Sequence, residues 1–357
     1  MTSFLNPLLE ARLKSLIYRL RFIGLYVLFG FLSIILEFFI RTFLISISFN
    51  QILSTLLAIS CGILFAFWTN VMFNFKIPKS RRDSALIYFV VISCFSGIVQ
   101  LSLKKFVALD YLSYEWGRLL ISGSIFILAY AFHRKYSFRD FKKVGIAIYA
   151  NGVENLEHIH SKIGNYPDFI HVDIVDKSMS DDAEDVKTYR LETMKAYWPT
   201  IQIQTHLMSY EPAQWLDRVL PYSDVIYIHV ECKDNIKLLI KKIKQSGKKA
   251  GIALTMATNP DDILDILEIA NYVLLLTIPK PGSSGQKFDI DSIERIKHIN
   301  NLSFRNQFVL CIDGGINENI IGMLEAENIV SGSSVLTNVD PKKQIMRLQT
   351  VGRYEAA

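Results

Sequence analysis

His171-Val-Asp-Ile-Val-Asp176 lies in a run rich in β-branched residues, and its reading decides the fold. On a strand, residues two apart point to the same face. His171 and Asp173 therefore project together into whatever that strand buries. Two ionisable side chains buried side by side are costly unless something binds them, and a divalent metal is the usual partner.

Working outward, the pattern repeats. Short β-rich runs occur at Val144–Tyr149, Phe169–Val175, Ile201–Leu207, Val225–Val230, Ala250–Leu254, Tyr272–Ile278, Gln307–Ile312 and Asn328–Ser331. Helix-like segments fall between them, among them Val153–Ile163, Asn235–Gln245, Asp261–Ile269 and Ile290–Ile299. Eight strand–helix alternations in roughly 200 residues predict a (β/α)8 TIM barrel rather than an open sheet.

Catalytic groups in such barrels sit at the C-terminal strand ends. Those ends offer His171 and Asp173 on the second strand, His206 on the third, His229 on the fourth and Asp313 on the seventh. A lone histidine is more often a hydrogen-bonded structural residue. Several buried ionisable groups at one mouth need a common partner, and two His with two Asp suit a divalent metal. Three glycine-rich segments close the barrel: Pro279-Lys-Pro-Gly-Ser-Ser-Gly-Gln286, Asp313-Gly-Gly-Ile-Asn317 and Ser331-Gly-Ser-Ser334. The loops after strands seven and eight often hold phosphate through backbone N–H groups. The substrate- and phosphate-binding candidates are Gly282, Ser284 and Gly285, then Gly314 and Gly315, then Gly332 and Ser333.

The residues before this region pose a different problem. The chain has 357 residues, half of them hydrophobic. Residues 1–143 carry 17 Lys and Arg against 6 Asp and Glu, whereas the rest carry 22 against 28. A basic half joined to a mildly acidic one argues against a nucleic-acid partner, whose reader would carry its basic residues on the folded domain. The four cysteines (Cys61, Cys94, Cys232, Cys311) form no CxxC and read as reduced structural residues. An amphipathic lead-in ends in Arg12, Lys14, Arg19 and Arg21, and no cleavable signal peptide is evident. Apolar runs follow at about Phe22–Ile40, Gln51–Phe73, Ser84–Leu103 and Trp116–His133. A bilayer span needs roughly 20 apolar residues, so four spans are predicted. Glu37 interrupts the first, with Arg41 at a spacing that permits an intrahelical pair. The basic loop Lys76-Ile-Pro-Lys-Ser-Arg-Arg-Asp83 and the basic flanks place both termini and the barrel in the cytoplasm. Two domains are therefore expected, an α-helical transmembrane domain over 1–143 and the barrel over 144–357.

Residues 144–340 resemble the ribulose-phosphate 3-epimerase family. The matching stretches are His171-Val-Asp-Ile-Val-Asp176, Thr205-His-Leu-Met208 with Glu211-Pro212, Tyr227-Ile-His-Val-Glu231, Gly251-Ile-Ala-Leu254 with Asn259-Pro260, Gly285-Gln-Lys-Phe288, Ile312-Asp-Gly-Gly-Ile-Asn317 and Ser331-Gly-Ser-Ser-Val335. The resemblance implies one divalent metal (zinc, iron(II), manganese or cobalt) on His171, Asp173, His206 and Asp313. It implies Asp173 and Asp313 as the acid/base pair, Met208 in the substrate pocket, and a sugar phosphate as substrate. The family's strand-one Ser is missing from Gly145-Ile-Ala-Ile-Tyr-Ala150, Lys177 follows Asp176 in place of Gly, and Val175 replaces a pocket Met. The ligand set is kept while the substrate rim has changed.

Residues 15–135 are similar to the GtrA-like membrane proteins, through the four-span layout and Phe67-Trp-Thr-Asn-Val-Met-Phe-Asn-Phe75 running into a basic loop. That family is associated with polyprenyl-phosphate-linked sugars for cell-surface polysaccharide. Glu37, Asn70 and Asn74, polar at membrane depth, are the candidates there. The combined expectation is a membrane-anchored, metal-dependent sugar-phosphate 3-epimerase (ribulose 5-phosphate/xylulose 5-phosphate type), as a homo-oligomer. The rival readings are a carrier or flippase for a lipid-linked sugar with the barrel as supplier or sensor, and an epimerase of a lipid- or nucleotide-linked sugar.

Overall fold

The computed structural model describes residues 6–75, 77, 79–106, 124–138, 142–150, 152, 154–180, 183, 189–282 and 285–350. The chain divides into two compact units, one built on Lys142–Val351 and the other on Leu16–Phe141.

In the first unit all eight predicted strands form: β1 (Lys143–Tyr149), β2 (Phe169–Val175), β3 (Gln202–Met208), β4 (Val225–His229), β5 (Lys249–Leu254), β6 (Tyr272–Leu276), β7 (Val309–Asp313) and β8 (Asn328–Ser331). They pair in parallel and in sequence order, and β8 returns to β1 to close the barrel. Helices lie between successive strands except between β7 and β8, where the chain makes only the short 3-10 turn Ile321–Met323. Two predicted helices start later than the pattern suggested because asparagine side chains cap them. Asn155 accepts from the N–H groups of Glu157 and His158 ahead of Leu156–Ile163, and Asn235 accepts from that of Leu238 ahead of Ile236–Gln245.

Every residue of β2 is buried. Ile170, Val172 and Ile174 join the apolar layer between the strands and the helices. The alternate residues Phe169, His171 and Asp173 face the barrel interior. The interior floor is apolar, built from Phe169, Val225, Tyr227, Ala253, Leu274, Leu276, Cys311 and Val330. Large rings fit there because their strand partners lack side chains. Gly145 pairs with Phe169 and Gly251 with Tyr227. A Cβ on either glycine would run into the ring beside it. Tyr227 is also anchored at its tip, donating its hydroxyl to Gln204 Oε1 at 2.9 Å.

Among the described residues, three helices are long and apolar enough to cross a membrane, within Pro7–Ser46, Gln51–Asn74 and Arg82–Val99. Helix α1 (Pro7–Ser46) absorbs the lead-in without a break at Phe22. At 1.5 Å per residue it runs about 60 Å, roughly twice a bilayer's hydrocarbon thickness. Helix α2 (Gln51–Thr69) is capped by Asn50 and passes into a π-turn, Asn70–Asn74. Helix α3 spans Lys79–Phe106. Of the fourth expected span, Trp116–His133, residues 116–123 lie outside the described residues, and 124–132 are helical.

The three polar candidates of this unit are all in contacts between or within helices. Asn70 donates to Ala66 O, and Asn74 donates to Phe22 O and Asn70 Oδ1. Asn74 Oδ1 is buried without a partner among the described residues. Glu37 packs over Gly62, where a Cβ would crowd both Ser33 O and the Glu37 side chain. Arg41 does not turn back to Glu37; its Nε donates to Thr55 Oγ1 at 3.1 Å. The reason is reach: the next helix offers an acceptor beside it.

Gly251→Ala should destabilise the barrel by about 1–3 kcal/mol, the usual cost of overpacking a filled core. Thermal unfolding of the detergent-solubilised protein reads this as a lower midpoint. An unchanged midpoint would mean that Tyr227 shifts freely.

Candidate metal centre and active site

The C-terminal ends of β2, β3 and β7 bring four ionisable side chains to one place. His171, Asp173, His206 and Asp313 each present a ligand atom, and these atoms all lie within 4.8 Å of one another. Asp173 is the hub. Its Oδ1 stands 3.4 Å from His171 Nε2 and 3.1 Å from His206 Nδ1. Asp313 Oδ2 lies 3.9 Å from the same His171 nitrogen. The parity of β2 explains the placement, since His171 and Asp173 follow Phe169 on the inward face.

The donors suit a divalent cation. Donors about 2.0–2.2 Å from one ion at right or tetrahedral angles stand roughly 3.0–3.5 Å apart, which matches the spacings around Asp173 Oδ1. Among the described residues neither ring nitrogen of His171, a fully buried residue, makes a well-formed hydrogen bond, the Asp173 carboxylate standing 3.4 Å from Nε2. A cation between His171 and the two carboxylates satisfies Nε2; Nδ1 keeps no partner among the described residues.

The electrostatics separate the two carboxylates. Burial, reinforced by the charge of Asp173, pushes Asp313 up to about 7. Burial also acts against ionising Asp173, but His171 and His206 beside it outweigh that and hold its carboxyl well below the usual range. The partners answer accordingly. Burial opposes a charge on His171, yet the Asp173 and Asp313 carboxylates raise it overall. Burial brings His206 down to about 4. One carboxylate thus favours its ionised form and the other holds its proton near neutrality. A bound divalent cation would draw Asp313 down again.

The third acid of the opening stretch plays another part. Asp176 Oδ2 accepts from Trp215 Nε1 (2.6 Å), Gln214 Nε2 (3.1 Å) and Ser209 Oγ (3.1 Å), and its Oδ1 from the Ser178 N–H (2.7 Å). It ties the turn after β2 to the turn and helix after β3. His229 also stands outside the four-group cluster, behind His206.

Above the cluster lies a cavity of about 290 Å³. Asp173, His206 and Asp313 line it together with Met208, Gly282, Gly285, Gly314, Gly315, Gly332 and Ser333. Ser284 lies outside the described residues. Gly315 cannot be replaced without strain. Its φ is +65°, and a Cβ there would strike the backbone of Lys287 and Phe288. This close crossing sets the loop after β7 against the segment that follows β6. Val175, at the pocket Met's position, is buried against Gly282.

The cavity also includes side chains that sequence reasoning did not single out. Tyr149, at the end of β1, is the register partner of Asp173. Burial, with the charges of Asp173, Asp313 and Glu154, raises its phenol, which therefore stays a hydrogen-bond donor. Glu154, in the turn that follows, lines the same space. The inward parity of β1 could have identified Tyr149; Glu154 sits in a turn, where no periodicity operates.

Comparison with known proteins agrees with the barrel and the apolar helices. The Ribulose-phosphate 3 epimerase family matches residues 143–336, and the GtrA/DPMS transmembrane domain matches residues 25–138. The ribulose-phosphate 3-epimerase of Aquifex aeolicus is 29% identical over 201 residues, covering 55% of this chain and 89% of that protein. That of Bacillus subtilis is 29% identical over 160 residues, 42% of this chain and 71% of its own length. That of Escherichia coli K12 is 27% identical over 193 residues, 51% and 83% respectively. Through its barrel the chain belongs to the ribulose-phosphate 3-epimerase family, making it an isomerase of the epimerase class that carries a GtrA/DPMS-type transmembrane domain.

Proposed function

We propose that this protein is a membrane-anchored, divalent-metal-dependent sugar-phosphate 3-epimerase that interconverts ribulose 5-phosphate and xylulose 5-phosphate. The observation that carries the reading is a pair of carboxylates, Asp173 and Asp313, lining a single cavity from strands separated by β8 and β1, with the ligand atoms of two imidazoles beside them. Inverting a carbon beside a ketone requires a proton to leave one face and another to arrive on the opposite face. Asp173, ionised, is the base in one direction, and Asp313 is the acid; in the reverse direction they exchange roles. His171, Asp173, His206 and Asp313 would hold the metal, which supplies a positive charge that stabilises the enediolate. Zinc, iron(II), manganese and cobalt all suit two imidazoles and two carboxylates.

The remaining cavity residues bind and orient. Met208, Leu276 and Ile278 supply apolar wall, and Tyr149 supplies a hydroxyl donor. Gly314, Gly315, Gly332 and Ser333 offer backbone close enough for a phosphate. A volume of about 290 Å³ is at the small end of ligand sites, roughly 300–1,000 Å³. That supports a free sugar phosphate over a nucleotide- or lipid-linked sugar.

Residues 1–143 are read as the membrane anchor and 144–357 as the catalytic domain, with the barrel on the cytoplasmic side because the basic residues flank the spans there. The GtrA/DPMS resemblance supports a link to polyprenyl-phosphate-linked sugars and cell-surface polysaccharide.

Two measurements test this. Metal analysis of the purified full-length protein should find about one divalent ion per chain, with His171→Ala and His206→Ala each losing most of it. Retention of the ion by both variants would place it elsewhere. In deuterated water the wild-type protein should incorporate deuterium into ribulose 5-phosphate. Asp173→Asn and Asp313→Asn should each cut that rate by at least about 10²-fold, the usual worth of a general acid or base. Wild-type exchange rates in either variant would remove that residue from the proton path.

A further inference from the structure

Behind His206, away from Asp173, a line of side chains continues into the protein. His206 Nε2 lies 2.9 Å from Nε2 of His229, with the two rings stacked at a 5.0 Å centroid distance. His229 Nδ1 lies 3.0 Å from Glu231 Oε2. The other carboxylate oxygen, Oε1, accepts from the Thr255 N–H at 2.9 Å, from the Thr255 hydroxyl at 2.7 Å and from the Thr258 hydroxyl. The carbonyls of those two threonines are bridged by Arg295, whose Nη2 donates to both, at 3.0 and 2.6 Å. His206 and His229 are fully buried. Neither His229 nor Glu231 lines the substrate cavity.

The direction of each hydrogen bond follows from the two ends of the line. Burial opposes a charge on Glu231, but the donors around it prevail and bring its carboxyl down to about 2. An ionised carboxylate only accepts, so the proton between Glu231 and His229 sits on His229 Nδ1. Where His206 Nδ1 holds the cation, its one proton sits on Nε2, so His229 Nε2 is the acceptor. His206 must then donate from Nε2. Its Nδ1 is left with a lone pair, 3.1 Å from the carboxylate oxygen of Asp173. Two acceptors facing each other at that distance repel unless a cation lies between them.

We infer that Glu231 and His229 are positioning residues that fix His206 as its Nε2–H tautomer, presenting the Nδ1 lone pair to the cation shared with His171, Asp173 and Asp313. The inference rests on the metal reading proposed above. A carboxylate that orients a metal-bound histidine is a common support. Here a second imidazole is inserted between carboxylate and ligand, so the support reaches the turn after β5. Thr255, Thr258 and Arg295 hold the far end of that line rigid.

Cobalt(II) binding by the full-length protein in detergent tests it, followed by visible absorption against a competing chelator. His229→Phe and Glu231→Ala should each weaken binding by about 10–100-fold, the usual effect of losing such a support, and should alter the cobalt spectrum. His229→Gln keeps an acceptor for His206 and a donor for Glu231, and should bind close to wild type. A role in packing alone predicts the opposite order, with the ring-preserving His229→Phe binding better than His229→Gln. Wild-type affinity and spectrum in both His229→Phe and Glu231→Ala would overturn the inference while leaving the metal site standing. Failure of the wild-type protein to bind cobalt would overturn the metal reading and this inference with it. If Glu231→Ala does not fold, the comparison of the two His229 variants decides.

Discussion

Asp173 stands 3.4 Å from one buried imidazole and 3.1 Å from another, with a second carboxylate, Asp313, across the mouth of the barrel. Removing such groups from water costs several kcal/mol for each uncompensated charge. The surroundings reduce that cost in different ways for each group. Asp173 shares the protons or the cation held by its imidazoles. Asp313 holds a proton near neutrality. Among the described residues His171 makes no well-formed hydrogen bond and depends on the group as a whole. A divalent cation would offset both carboxylates and take up His171 Nε2 together, which is why the cluster reads as a metal centre rather than as a set of structural ion pairs.

The barrel delivers that cluster by simple means. Parallel strands buried on both faces have two interiors, one toward the helices and one toward the axis. Alternation sends Val172 and Ile174 outward while His171 and Asp173 rise above Phe169 on the inside. Below them, rings seated over Gly145 and Gly251 fill the axis and exclude water. Above them, glycine-rich loops bring backbone to the cavity edge, where an anion can be held without a charged side chain. The chemistry therefore sits between a closed apolar floor and a polar rim.

Much of this was legible from the residues. The eight strands, the inward pairing of His171 with Asp173 and the ligand types at three strand ends all follow from period-two patterning, because one register buries each strand. The glycine loops were legible because glycine is required where backbones cross closely. Other features escaped. The late helix starts depend on Asn155 and Asn235 turning their side chains back to the helix amides. Arg41 found Thr55 on the next helix instead of Glu37 on its own, a choice made by packing. Tyr149 and Glu154 enter the cavity from β1 and the turn after it, where the departure from the family pattern was visible but its consequence was not. The line through His229 to Glu231 and Thr258 joins residues from two strand ends and a turn, which no local pattern connects.

The metal centre is the claim on which the mechanism, the tautomer of His206 and the roles of both carboxylates depend. X-ray absorption at the edge of the metal carried by the purified full-length protein tests it directly. The account predicts one divalent ion with two imidazole nitrogens and carboxylate oxygens at about 2.0–2.2 Å. A spectrum without imidazole scattering, or one dominated by sulfur donors, would contradict it.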